Sequence, residues 1–268
     1  MQLLVTRPAR EAAVWVRQLQ AQGLHAVALP LIEIGPVDDT TTRDACLAQL
    51  QAHDAGHYDA VMFVSANAVQ FFLPSGMAWP QHRPVRAWSP GPGTARALLD
   101  AGVPPGQLDS PPEQAGQFDS EALWQIVAPQ VRPGHRTLVV RGQDGPASPQ
   151  GQGRGHGRDW LARQLQAAGG EVDFVAVYTR HAPRWDAHQQ ALAEAAAQDG
   201  SVWLFSSSQA LLHLQQCLPG VSWQAARAVA THPRIADAAR AAGFGVVRLS
   251  RPTLDDVVRV VASIESGA

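Results

Sequence analysis

Arg17-Gln18-Leu19-Gln20-Ala21-Gln22-Gly23 returns as Arg163-Gln164-Leu165-Gln166-Ala167-Ala168-Gly169, and this recurrence decides how the rest of the chain is read. Each copy reads as the last turns of a helix closed by glycine. Ahead of the first copy, Leu4-Val5-Thr6-Arg7-Pro8 is a short apolar strand with a turn, and Leu138-Val139-Val140-Arg141-Gly142 is its counterpart. Downstream, Phe63-Val64-Ser65-Ala66-Asn67-Ala68 is matched by Phe205-Ser206-Ser207-Ser208-Gln209-Ala210. Ser89-Pro90-Gly91-Pro92-Gly93-Thr94-Ala95, leading to Gly102, is matched by Ala230-Thr231-His232-Pro233-Arg234-Ile235-Ala236, leading to Gly243. Thr253-Leu254-Asp255-Asp256-Val257-Val258, with capping-box spacing from Thr253 to Asp256, answers a helix expected near Ser120–Val127. The offset is 134 residues at the first strand, 142 at the serine turn and 141 at the Pro-Gly loop, with the order kept throughout. A duplication that preserves order is hard to obtain by chance and points to two similar units, which by repetition alone divide near residue 132.

Each copy alternates strand and helix. Leu3–Thr6 reads as a buried strand, Pro8 suits the first helical position, and Ala12, Trp15 or Val16, and Leu19 share a helix face. A second strand is expected from His25 through Pro30 to Ile34, and a polar helix over Thr42–Gln51. Strands follow at Ala60–Val64, Val85–Trp88 and Leu108–Ser110, each before a helix. The pattern is α/β with about five parallel strands in each unit. In such sheets ligands bind beyond the carboxyl ends of the strands. Arg7, Ser65, Gly91–Thr94, Arg141, Ser206–Ser208 and Thr231–Arg234 are all expected there, on two rims that would form a cleft if they face each other.

Two Pro-Gly pairs exclude Ser89–Gly93 from a helix or a central strand, so this stretch is a loop that opens one. Glycines allow close backbone approach, and the free N–H groups of a first helical turn attract anions. Thr94 is the expected N-cap. The loop has neither Walker-A lysine spacing nor a full GxGxxG, and no acidic ribose-binding residue follows it. One segment breaks the repeat: Gln143–Gly157, rich in Gly, Pro, Ser and Gln, reads as a mobile surface insertion carrying Arg154 and His156, with Arg158 just beyond it.

The chain has 268 residues, of which 46% are hydrophobic and 16% charged, and a formal net charge of −2. No global field therefore recruits nucleic acid or an anionic membrane. It contains no lysine, so every basic side chain other than histidine is an arginine suited to bidentate carboxylate or phosphate binding. Cys46 and Cys217 lack metal-ligand spacing, and no metal site is expected. The sequence opens directly on a strand with no basic-then-apolar leader, and no apolar run reaches membrane-spanning length; a cytoplasmic location is expected.

The sequence resembles the uroporphyrinogen-III synthases of tetrapyrrole biosynthesis over essentially its whole length. The resemblance rests on Val5–Pro8, Gly23 through Pro30-Leu31-Ile32-Glu33, Tyr58-Asp59-Ala60-Val61-Met62-Phe63-Val64-Ser65-Ala66-Asn67-Ala68-Val69, Gly91–Ala95, Val177-Tyr178-Thr179-Arg180 and His232–Ala236. It implies two doubly wound parallel-sheet, flavodoxin-like domains joined by a two-stranded antiparallel connector, with strands near 30–35 and 174–179. One lobe is then 1–34 plus 179–268 and the other 36–173. The implied reaction is a carbon–oxygen (hydro-lyase) cyclisation of hydroxymethylbilane, an octacarboxylate, to uroporphyrinogen III, with loss of water and inversion of ring D. No cofactor or metal is implied. On this basis Tyr178 is the expected proton donor. Substrate carboxylates are expected to meet Arg7, Ser65, Asn67, Gly91, Gly93, Thr94, Arg141, Ser206, Ser207, Thr231 and His232. The expected state is a monomer in transient contact with the preceding enzyme of the pathway. The second loop departs from the pattern because Thr231-His232-Pro233-Arg234 contains no glycine. A two-lobed anion-binding protein without chemistry is the alternative reading.

Overall fold

The computed structural model describes residues 1–52, 58–80, 84–112, 115–144 and 156–266, apart from the side chains of 144 and 156–159. The described chain forms two compact units, Met1–Ile34 with His181–Ala268, and Gly35–Arg180.

The first unit is built on β1 (Leu3–Val5), α1 (Ala9–Ala21) and β2 (Ala26–Ala28). Pro8 is the N-cap of α1 rather than its first helical residue, because its ψ of 146° is still extended. Gly23 turns the chain out of α1 with φ of 82°, and its repeat partner Gly169 has φ of 83°. A left-handed residue at a helix end is the reason both copies of the repeat stop on glycine. The extended chain after β2 continues past Pro30, which has no N–H to donate: Leu29 N–H donates to Val5 O at 3.0 Å and Leu31 N–H to Thr6 O at 3.2 Å. The single strand expected over His25–Ile34 is therefore two. β3 (Glu33–Pro36) belongs to the other sheet.

The second unit continues with α2 (Thr41–Gln51), β4 (Ala60–Phe63), α3 (Ala66–Phe72), β5 (Arg86–Trp88), α4 (Pro92–Asp100), β6 (Leu108–Asp109), α5 (Ser120–Val127), β7 (Arg136–Asp144), α6 (His156–Ala167) and β8 (Glu171–His181). The chain then completes the first unit with α7 (Ala187–Ala196), β9 (Val202–Phe205), α8 (Ser208–Cys217), β10 (Arg227–Ala230), α9 (Pro233–Ala241), β11 (Val246–Leu249) and α10 (Leu254–Glu265). The insertion expected as a loop over Gln143–Gly157 is regular at both ends, since β7 runs to Asp144 and α6 begins at His156; Arg154 lies outside the described residues.

The strand orders are β11-β10-β9-β1-β2 and β3-β8-β7-β4-β5-β6. Every described ladder among β1, β2 and β9–β11, and among β4–β8, is parallel, and β3 on the edge makes the second sheet mixed. With β3 set aside, the two sheets have one spatial order, but the chain enters them at different points. The first unit takes β1-α1-β2 from the first repeat and β9 to α10 from the second. The second unit takes β4 to α5 from the first repeat and β7-α6-β8 from the second. One unit is a circular permutation of the other, and neither breaks at residue 132.

Strands buried on both faces explain the continuous apolar runs. In β9, Val202 and Leu204 pack with α1 and α10 through Leu19, Val257 and Val261. Trp203 and Phe205 pack on the opposite face with α8 and α9 through Leu214 and Ala236. In the second unit Met62, Trp88 and Val139 meet Leu123 and Val127 of α5 and Leu161 and Leu165 of α6. Phe63 turns the other way onto Phe72 of α3, with ring centroids 5.8 Å apart.

Candidate functional site

In the second unit the turns after β4 and β5 and the ends of β7 and β8 form one rim. Ser65 has extended backbone and caps α3, its Oγ accepting from Ala68 N–H at 3.2 Å. The same Oγ lies 3.1 Å from the Tyr178 hydroxyl. Tyr178 is buried at 3% exposure, and its ring sits 5.9 Å from that of Phe71. Asn67 follows one residue into α3 and is half-buried.

After β5, the N-cap of α4 is Gly91 and not Thr94, with Pro92 in the first helical turn. The rigid φ of Pro92 favours the start of a helix, which moves the cap three residues upstream of the threonine. Gly91 N–H donates to Ser89 Oγ at 3.2 Å, and Ser89 Oγ–H donates to Gly91 O at 2.7 Å. Gly91 is buried, and a Cβ there would meet Phe118 Cβ at 3.0 Å. Gly93 faces open space, and Thr94 is buried at 7% exposure. Among the described residues no group accepts from the N–H of Gly93 or Thr94. These two amides are the unsatisfied first-turn donors of α4, since the Gly91 amide is occupied and Pro92 has no N–H.

Arg141 sits at an irregularity in the β7–β8 ladder, with its guanidinium 4.6 Å from the Phe174 ring. A cation over an aromatic face is held there by the ring quadrupole.

The first unit presents its own rim. Arg7 lies against the Trp15 ring at 4.4 Å and pairs with Glu11 at 3.3 Å. Burial pulls the affinity of its guanidinium for the proton down, and Glu11 opposes that shift. Ser207 caps α8, its Oγ accepting from Gln209 N–H at 3.2 Å. The neighbouring Ser206 Oγ is buried and bonds no group among the described residues. Thr231 N–H donates to Phe205 O at 3.1 Å. His232 caps α9 through Nδ1, which accepts from Arg234 N–H at 3.1 Å; a ring nitrogen that accepts carries no proton, so in this arrangement the neutral tautomer holds it on Nε2.

Arg7, Ser206, Ser207, Thr231 and His232 thus share the rim of the first unit, and Ser65, Asn67, Gly91, Gly93, Thr94, Arg141 and Tyr178 belong to the second. The repeat aligns Ser65 with Ser207, and each caps the helix after the middle strand of its sheet, β4 or β9, once β3 is set aside. Sequence reading missed Gly142 and Phe71, which pack against Tyr178. Gly142 stands where Leu4–Pro8 has proline, and that mismatch between the copies was its only signal. Among the described residues no cluster of three or more His, Cys, Asp or Glu is placed to hold a metal ion, and no helix is long and apolar enough to cross a membrane.

The Uroporphyrinogen-III synthase HemD family model matches residues 13–259. The chain is 31% identical over 201 residues to the uroporphyrinogen-III synthase of Salmonella typhimurium, a match covering 72% of this chain and 70% of the relative. It is 33% identical over 147 residues to that of Chlorobaculum parvum, spanning 52% of each, about half the length of that relative. Among solved structures it is similar to the uroporphyrinogen-III synthetase of Helicobacter pylori, with a TM-score of 0.54 at 16% identity over 98% of this chain and 100% of the other. A mutant uroporphyrinogen III synthase from Thermus thermophilus gives 0.52 at 16% identity, with both chains covered in full. At that identity the likeness is one of fold, whereas the family match reaches from the first helix into the last. The chain belongs to the uroporphyrinogen-III synthase family.

Proposed function

We propose that this chain closes hydroxymethylbilane to uroporphyrinogen III, with Tyr178 as proton donor. The observation that supports this reading is the hydroxyl pair Tyr178–Ser65 at 3.1 Å, on the same rim as the Gly93 and Thr94 amides. In this scheme the Tyr178 hydroxyl passes its proton to the departing hydroxyl of the substrate. The C–O bond breaks, water leaves, and an azafulvene-type cation remains. Ring closure releases one proton, which returns to the phenolate, so the residue is regenerated. Ser65 holds the phenol, and its own hydroxyl is fixed in turn by Ala68 N–H.

The linear substrate also closes unaided, without inverting its last ring. Holding it in the productive shape is therefore the larger task. On this reading the carboxylates are received in the second unit by the Gly93 and Thr94 amides and by Asn67 and Arg141. In the first unit they meet the Ser206 hydroxyl, Thr231, His232 and Arg7. The same reading sets the enzyme in the cytoplasm as a monomer that meets the preceding enzyme transiently, with no cofactor.

The test is to supply hydroxymethylbilane, oxidise the product and separate the porphyrin isomers. Type III is expected, and type I alone, as in the enzyme-free control, overturns the assignment. Tyr178→Phe is expected to lower kcat by about 100-fold, the low end of general-acid contributions, with KM little changed. Undiminished kcat would remove Tyr178 from the chemistry.

A further inference from the structure

Tyr178 is held from three sides. Ser65 bonds its hydroxyl and Phe71 packs against its ring. The third side is Gly142, its partner on the adjacent strand, just past the ladder irregularity between Arg141 and Gly142. A Cβ at Gly142 would lie 2.3 Å from Tyr178 Cε2, 2.4 Å from Cζ and 2.8 Å from Cδ2. No carbon pair tolerates such distances. The obstructing atoms belong to a ring buried at 3% exposure, so the conflict cannot be relieved by swinging a flexible tip away. Gly142 is not one of the glycines with positive φ, so the requirement for glycine comes from the ring and not from the backbone.

We propose that Gly142 is a positioning residue for the reaction: the bare Cα on β7 is the seat on which the Tyr178 ring lies, and it sets the height at which the phenol reaches Ser65. This rests on the reading of Tyr178 as proton donor. The ladder slip supports it geometrically. Between the pairs Arg141↔Ala176 and Gly142↔Tyr178 the strand β8 advances by one extra residue, Val177, which brings Tyr178 opposite the glycine. A bulge re-aims a side chain in this way.

The experiment uses the full chain and Gly142→Ala. The expected kcat for type III product falls about 100-fold, the scale of a misplacement near 1 Å, with KM changed less than threefold. In the double variant Gly142→Ala with Tyr178→Phe the loss should be no larger than for Tyr178→Phe alone, since both act through one hydroxyl. The chain has two tyrosines, so fluorotyrosine labelling gives two ¹⁹F resonances. The Tyr178 resonance, assigned by its disappearance in Tyr178→Phe, should shift in Gly142→Ala while that of Tyr58 stays in place. If Gly142→Ala fails to fold, Gly142→Ala with Tyr178→Ala should fold, because removing the ring removes the obstruction. Wild-type kcat with an unmoved Tyr178 resonance, or a double variant without the ring that still does not fold, overturns the proposal. If Tyr178→Phe is fully active while the resonance still shifts, the seat stands and the proton-donor reading falls.

Discussion

Adjacent serines on the rim of the first unit have different duties. Ser207 Oγ caps α8, whereas Ser206 Oγ, buried beside it, bonds nothing among the described residues. Ser207→Ala should therefore cost about 1 kcal/mol of stability, the usual loss for a serine cap. Ser206→Ala should leave thermal stability unchanged within about 0.5 kcal/mol and raise KM for the bilane, if its hydroxyl receives a substrate carboxylate. Paired thermal melts and KM values check this; equal melting losses for the two variants would cancel the distinction. His135 makes a pH prediction. It is 5% exposed, stacks on Trp88 at 5.6 Å, and its Nδ1 lies 4.0 Å from Asp59. Burial lowers its pKa below 6.5; Arg132 acts in the same direction and Asp59 opposes. The unfolded chain then binds the proton more readily than the folded one. Stability is complete above pH 6.5 and declines as pH falls from there toward the lower folded value. His135→Phe keeps the stack on Trp88 and cannot be protonated, so its melting temperature should fall less than that of the wild type between pH 7 and about pH 5; parallel curves would exclude His135 as the cause.

At the scale of elements, caps and ladders account for what the sequence made legible. The repeated RQLQA runs ending on Gly23 and Gly169 could be read directly, because helix termination is local chemistry. Thr253 was also readable: it accepts from Asp256 N–H at 3.4 Å and donates to the Asp256 carboxylate, starting a helix that buries Val257, Val261 and Ile264. Thr253→Ala should lower stability by about 1 kcal/mol, visible as a reduced melting temperature with unchanged kcat; an unaltered melt would mean that α10 packing alone sets its start. Thr94 misled because the same local rule had two claimants. Pro92 at the first turn settled the cap on Gly91, whose amide bonds Ser89. Local pattern did not divide His25–Ile34, since an extended chain looks alike on either side of Pro30; only the family resemblance set a separate strand near 30–35. Only pairing distinguishes the part bonded to β1 from the part placed beside β8. The Tyr178–Ser65 bond joins residues 113 apart in sequence, and the irregularity that sets it belongs to a ladder between two strands. Tyr178 and Ser65 each drew notice in the sequence; their bond and the seat at Gly142 came from the sheet.

At the scale of the molecule, the permuted second unit is continuous from Gly35 to Arg180, while the first needs segments on both sides of it. Glu33 Oε1 accepts from Arg184 N–H at 3.2 Å, which brings the two ends of the first unit close to each other. Residues 35–180 expressed alone should therefore unfold cooperatively in urea, with a slope of roughly 1–3 kcal/mol per M. Ile34 joined to His181 by a few glycines should give a folded first unit without the second. A fragment lacking a cooperative transition would show that the corresponding unit depends on the rest of the chain.

The sequence by itself determined that the chain is a duplicated α/β protein, where its helices stop, and which turns carry hydroxyls, arginines and glycines. Those properties follow from residues a few positions apart, and the repeat printed them twice. The repeat alone would have divided the chain near residue 132, and the tertiary structure decided the pairing strand by strand: β1 and β2 join β9–β11 in one sheet, and β7 and β8 join β4–β6 in the other. That structure alone placed Tyr178 on Gly142 with its hydroxyl on Ser65. Strand pairing is a contest among distant segments for the same backbone donors and acceptors, and similar repeats offer nearly equivalent partners. Which strands pair is fixed by closing both cores at once, and no stretch of the chain read alone contains that condition.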